Sequence, residues 1–273
     1  MPPRSGKIAR KPEIPAHEPS LQLPEAVTEL YRIFRPYRTP VHPVGCPCCV
    51  TQADQQQLFA KPLERLSVGD LDQFAFQALT TWGSVNDLKH FLPRLLELGP
   101  ESPEEFTQVE VLFRKLTLGD WSSWPLGEHQ AVTHFLLALW RERLTAVGGE
   151  WKFDELLCGL GCAVDSLAPY LRLWSDCRHP SGYDHLVHFI DENSAGMLKR
   201  RSLANAFWSD VPAREEELVN WLADPTTLRG LEQTFSENPS AAYADALARA
   251  IDRLTALQTV LKPEPGASVT LES

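Results

Sequence analysis

The chain has 273 residues, of which 43% are hydrophobic, and its formal net charge is −10. A chain of this size can bury a substantial core, because the buried fraction of the surface grows with length. Its acidic balance repels phosphate backbones, which argues against broad nucleic-acid binding and favours a basic protein partner.

The sequence holds no apolar run of the length that a membrane span needs, and its first residues lack the apolar core of a signal peptide. Six cysteines are too few for a disulfide scaffold at this length, so free or metal-bound thiols are expected. We therefore expect a cytoplasmic protein that does not enter a membrane.

Both ends of the sequence are rich in proline and polar residues. Residues 1–22 carry four basic and two acidic side chains and few large apolar ones, so we expect a disordered basic tail. Residues 263–273 should form a second disordered tail. Residues 23–262 are predicted to make one helical domain, with a possible internal boundary at the glycines of 148–150.

Between the tails, apolar residues recur at steps of three and four, and no long stretch alternates with period two. Hydroxyl residues followed three positions later by an acid mark several helix starts, as at Thr51, Ser67 and Ser84. The predicted helices cover residues 24–35, 51–60, 69–80, 84–98, 102–116, 127–146, 153–162, 165–176, 183–192, 200–208, 213–222, 226–235 and 240–261.

Two of these predicted helices are limited by a helix-breaking residue. Gly83 should end the helix of residues 69–80, and Pro93 predicts a kink or a delayed start in the following helix. Since no fixed repeat period is present, the pattern predicts an all-α fold, as an irregular multi-helix bundle or, as the less favoured alternative, a solenoid-like stack of helix pairs.

The loop HPVGCPCCVT contains the most distinctive chemistry. Cys46 and Cys49 have the C-x-x-C spacing that lets two thiolates reach one zinc ion, and they precede a helix N-terminus that favours thiolate. One such pair is half a tetrahedral site, and Cys48, His42 or His90 could complete it. A thiol redox role is the less favoured alternative, because its usual βαβ context is missing.

A second set of possible ligands lies later in the chain. Cys158 and Cys162 share one helix face, and Cys177 and His179 follow in a loop. The more ordinary explanation is packing, because free cysteine is often buried beside glycine. His185 and His188 lie three apart on one predicted helix, and His129 and His134 lie five apart on another. We expect surface or half-buried histidines at all four positions, since neither an H-E-x-x-H pattern nor another common catalytic motif occurs.

On the predicted helix that follows Ser84, His90 lies opposite the apolar stripe and beside Asp87 and Arg94. These three side chains are the candidates for an acid/base site. Such a site would also require a cavity at this face of the helix.

The phrase LSVGDLDQFAFQALTTWGSVNDLKHFLPRLLEL, together with the cysteine loop before it, covers residues 42–98. It resembles a stretch of uncharacterised bacterial helical proteins that pair a Cys-rich loop with a TTWG…HFLPR helix. The resemblance implies a bacterial helical protein and supplies no activity and no catalytic residue.

Three hypotheses follow from the sequence. The first is an acidic protein–protein interaction protein, such as an adaptor or an immunity or antitoxin-like protein that binds a basic partner. The second is a protein with a structural or regulatory zinc or thiol site at Cys46–Cys49. The third is an enzyme with an acid/base site around His90. The charge and the missing catalytic motifs favour the first.

Overall fold

A computed structural model describes residues 22–37, 43–101, 106–147, 153–200 and 202–261. The predicted tails, His42 and the possible boundary at 148–150 lie almost entirely outside these ranges. Within them the chain forms twelve α-helices: α1 (Leu23–Phe34), α2 (Gln52–Leu58), α3 (Val68–Gln77), α4 (Val85–Leu98), α5 (Val109–Leu118), α6 (Leu126–Thr145), α7 (Phe153–Ala163), α8 (Ala168–Ser175), α9 (Pro180–Arg200), α10 (Pro212–Ala223), α11 (Pro225–Glu237) and α12 (Ala244–Leu261).

The all-α prediction is confirmed, and the arrangement is that of an irregular bundle. Helices distant in the sequence pack together, as α1 does with α4 and α6, α5 with α7, and α9 with α12. Buried apolar side chains form one cluster that extends from Ala26 to Leu257. None of the helices in the described ranges has both the length and the apolar character that a membrane span requires.

The predicted helix starts at Thr51, Ser67 and Ser84 are confirmed by their hydrogen bonds. In each case the acid three positions later accepts from the backbone N–H of the capping residue, as Asp54 does from Thr51 at 2.7 Å. These capping boxes satisfy backbone donors that the first helical turn leaves unpaired. They fix the starts of α2, α3 and α4.

Short 3₁₀ segments and turns join several of these helices. One of them, Trp121–Ser123, lies between α5 and α6, and another, Ala206–Asp210, precedes α10. The chain also leaves α3 through a tight turn in which Leu79 has φ +64° and Gly83 has φ +77°. The prediction that Gly83 ends this helix is wrong, because α3 already ends at Gln77. Gly83 lies at the far end of the turn, next to Ser84, which caps α4.

The start predicted at Ser102 is wrong for the helix that follows. Ser102–Glu105 lie outside the described residues, and α5 begins only at Val109. Phe106 is 6% exposed, and the Thr107 hydroxyl donates to the Asp72 carboxylate at 2.8 Å. Contacts with distant elements hold these residues out of the helix, overriding the local signal.

The predictions for residues 183–208 need a similar correction. Helix α9 extends through the presumed polar link to Arg200, and Met197 in that link is 0% exposed. No α-helix covers 202–208. There the backbone N–H of Leu203 donates to Glu215, and that of Ala204 donates to the buried Asn193, both at 2.7 Å.

Pro93 lies inside α4, which begins at Val85 without delay. The alternative of a delayed helix start is therefore wrong. Pro93 is buried together with the apolar face of the helix.

Candidate metal centre

The cysteine loop is held against the turn that follows α3. The Cys46 N–H donates to the Thr81 carbonyl at 2.8 Å, and the Gly83 N–H donates to the Val44 carbonyl at 2.9 Å. The TTWG sequence is therefore the structural support of the loop. The two parts of the stretch covering residues 42–98 contact each other directly.

The loop turns tightly after Cys46. The N–H groups of Cys49 and Val50 both donate to the Cys46 carbonyl at 2.9 Å. At Gly45, a Cβ would lie 2.7 Å from the Cβ of Val50, so this position requires glycine for the close approach. The side-chain amides of Gln73 and Gln77, both on α3, donate to the Cys49 carbonyl at 3.4 and 3.3 Å.

This turn brings three sulfur atoms together. The Sγ of Cys46 lies 2.9 Å from that of Cys48, which in turn lies 3.4 Å from that of Cys49. All three atoms lie within 4.8 Å of one another. Cys48 is exposed, and Cys46 and Cys49 are half-buried, so the group is at the surface and could hold a metal ion.

The environment of Cys46 favours its thiolate. Hydrogen bonds from the thiol and the backbone N–H of Cys48, and further ones from Cys49, lower the pKa of Cys46. Hydrogen bonds with Cys46 and Cys49 raise the pKa of Cys48 to about 11. Neighbouring donors within the turn are therefore the cause of this shift.

Among the described residues, the group of close metal-binding atoms contains these three cysteines and not His90. The Nδ1 atom of His90 lies 2.9 Å from the Tyr37 carbonyl oxygen, and its ring packs edge-on against Phe91. His90 is half-buried by these contacts. The proposed fourth ligand His42 lies outside the described residues.

The contacts of Asp87, His90 and Arg94 do not support the acid/base hypothesis. The Asp87 carboxylate accepts from the N–H and the hydroxyl of Ser84 at 2.7 Å as the helix cap. Arg94 donates to the Leu66 carbonyl at 2.8 Å and to Glu97 at 2.7 Å. With His90 bound to Tyr37, all three candidates make contacts that stabilise the fold.

The second set of possible ligands does not form a comparable cluster within the described residues. Cys158 and Cys162 are 0% and 3% exposed on α7, and their mutual hydrogen bond together with burial raises the pKa of Cys158. The Cys177 sulfur contacts the Leu144 carbonyl at 4.0 Å. The burial of Cys158 and Cys162 on α7 agrees with the packing interpretation.

The structure also contains features that no sequence motif indicated. Lys89 and Glu128 form a buried ion pair between α4 and α6, and a cavity lies beside Trp121, Trp124 and Tyr170. The only sequence signal for the cavity was the pair of tryptophans in the turn before α6. Tyr170 gave no signal, because its position depends on the packing of α8.

No family model matches the chain, and no curated protein or solved structure matches it. Any function assigned to the cysteine loop therefore depends on its own geometry and chemistry.

Proposed function

We propose that this chain binds a thiophilic divalent metal ion, zinc in the first instance, through Cys46, Cys48 and Cys49. The observation that carries the proposal is the gathering of three Sγ atoms within 4.8 Å of one another. Backbone hydrogen bonds to Thr81 and from Gly83 hold the loop in that position.

The donor set selects the kind of metal. Thiolates are soft ligands that suit zinc, copper(I) and iron–sulfur clusters, whereas magnesium and calcium prefer oxygen. A tetrahedral zinc ion with Zn–S bonds of about 2.3 Å separates its sulfur ligands by about 3.8 Å. The Cys46 and Cys48 sulfurs, 2.9 Å apart, would therefore move apart by about 1 Å. The exposed side chain of Cys48 has room for this movement.

Three thiolates leave one coordination position of zinc for a ligand from outside this group. The loop itself carries an exposed apolar side chain, because Val44 is 88% exposed. Exposed apolar groups next to an open metal position favour contact with a second protein. We therefore propose that the metal serves an interaction, and an adaptor or an immunity or antitoxin-like protein is the form we favour.

The net charge of −10 favours a basic protein as the partner. An acidic surface attracts a basic partner over a distance of about 8–10 Å at moderate salt. Binding of such a partner should therefore weaken as salt rises, and it should also require the metal.

The metal proposal is tested by elemental analysis of the full chain. The protein is loaded with zinc and then dialysed against buffer that contains no chelator. The wild type should retain about one equivalent of zinc, and Cys46→Ser and Cys49→Ser should retain clearly less. Cys177→Ser is the matched control, because Cys177 is half-buried and belongs to no sulfur group within the described residues; it should retain the full amount. A wild type without zinc, with all thiols free to react after unfolding, would refute the proposal.

A further inference from the structure

A cavity of about 410 Å³ lies between the Trp121–Ser123 segment, helix α6 and the residues that lead into α8. Its lining is mostly apolar and aromatic, with a few polar side chains. Cavities of 300–1,000 Å³ with this kind of lining are typical of small-molecule sites. The cavity shares no lining residue with the cysteine loop.

The aromatic walls are fixed by the fold itself. The indole N–H of Trp121 donates to the Ala163 carbonyl at 2.7 Å, and that of Trp124 donates to the Gly119 carbonyl at 2.8 Å. Trp121 also stacks on His129, with 4.8 Å between ring centroids and 12° between planes. Both indole groups therefore present their rings to the cavity without unpaired N–H groups, and little order is lost on binding.

Tyr170 lines the same cavity and is 3% exposed. Its backbone carbonyl accepts from Trp140 at 2.9 Å, and among the described residues its hydroxyl is not one of the buried polar atoms that lack a partner. Burial raises the pKa of Tyr170, which keeps the hydroxyl protonated. A ligand group that takes the place of water at this hydroxyl would gain the modest affinity of one hydrogen bond.

The charge of the lining narrows the class of ligand. Asp165 is a lining residue, whereas no lysine or arginine is among the described residues that line the cavity. An anionic ligand would therefore lose its hydration without gaining a cationic partner.

We propose that this cavity binds a small, neutral, planar aromatic molecule that carries one hydrogen-bonding group, and that this group pairs with the Tyr170 hydroxyl. The aromatic part of the ligand lies against Trp121 and Trp124. The cavity proposal and the metal proposal depend on different residues, so either proposal can fail without the other.

The test compares three probes with the full chain by calorimetry and fluorescence: 2-naphthol, naphthalene and 2-naphthoate. The wild type should bind one 2-naphthol, about five- to tenfold more tightly than naphthalene, which is the range expected for one hydrogen bond. The anion 2-naphthoate should bind more weakly than either. Tyr170→Phe should bind 2-naphthol and naphthalene equally.

Tyr183→Phe is the matched control, because Tyr183 is also buried, at 2% exposed, but lines a different cavity. It should keep the preference for 2-naphthol. Val164→Trp, which fills the cavity, should abolish binding of both neutral probes while circular dichroism shows a folded chain. Binding only above about 1 mM, or an unchanged preference in Tyr170→Phe, would overturn the proposal.

Discussion

Replacing Lys89 by methionine should destabilise the fold strongly, because it would leave a carboxylate buried without its partner. The Lys89 Nζ lies 2.7 Å from the Glu128 Oε2, and the two residues are 6% and 8% exposed. The ammonium group also lies 4.3 Å from the ring centroid of Trp124 and 4.9 Å from that of Tyr37. The Tyr37 hydroxyl completes the group by donating to Glu128.

Removing one partner of a buried ion pair costs about 3–5 kcal/mol, because the remaining charge is unpaired. Loss of the cation–π contacts adds about 0.5–2 kcal/mol. Replacing both partners, in Lys89→Met with Glu128→Leu, removes the uncompensated charge and should come within about 2 kcal/mol of the wild type.

The assay is urea-induced unfolding followed by circular dichroism, with both single variants and the double variant in one cycle. The single variants should lose much more stability than the double variant. A loss of less than about 1 kcal/mol in Lys89→Met would be the size expected of a surface pair. That result would refute the reasoning that this pair is desolvated and stabilises the contact between α4 and α6.

Three further predictions follow from single positions. Burial raises the pKa of Glu110 above its ordinary 4.5, so the stability that the Glu110 carboxyl contributes is present at low pH and lost as the pH rises through the raised pKa. Glu110→Gln should therefore raise the urea midpoint at pH 7 and give no gain below about pH 4. Gly83→Ala should cost about 1–2 kcal/mol of unfolding free energy, because φ is +77° there. Gly45→Ala, whose Cβ would lie 2.7 Å from Val50, should lower zinc affinity, while the control Gly69→Ala, with no atom within 4 Å of its Cβ, should not. Equal zinc affinities in the two alanine variants would contradict the close approach in the cysteine loop.

Features that depend on neighbouring residues could be predicted from the sequence. The capping boxes at Thr51, Ser67 and Ser84 depend on a hydroxyl and an acid three positions apart, and all three are present. The positive φ of Gly83 agrees with the conformational freedom of glycine, but the end of α3 at Gln77 was not predicted. The helical class follows from the spacing of apolar residues along the chain.

Features that depend on distant contacts could not be predicted. The start of α5 is set by Phe106 and Thr107 packing against other elements, which outweighs the local start signal at Ser102. Likewise, the irregular backbone at Leu203 is stabilised by a carboxylate twelve positions away, on Glu215. Neither contact leaves a pattern in the local sequence.

The candidate site also has features that depend on local sequence and features that depend on distant contacts. The grouping of Cys46, Cys48 and Cys49 follows from their adjacency in one turn. The position of His90 depends on how Tyr37 packs against α4, and the hydrogen bond between them was not visible in the spacing. Zinc, as the metal at this site, stays a prediction.

X-ray absorption at the zinc edge of the zinc-loaded full chain tests the central proposal most directly. The proposal predicts about three sulfur neighbours at about 2.3 Å and one lighter neighbour at about 2.0–2.1 Å. Replacing Cys48 by serine should lower the sulfur count by one. A zinc ion surrounded only by nitrogen and oxygen, or a sulfur count unchanged in Cys48→Ser, would contradict the assignment of the three-cysteine site.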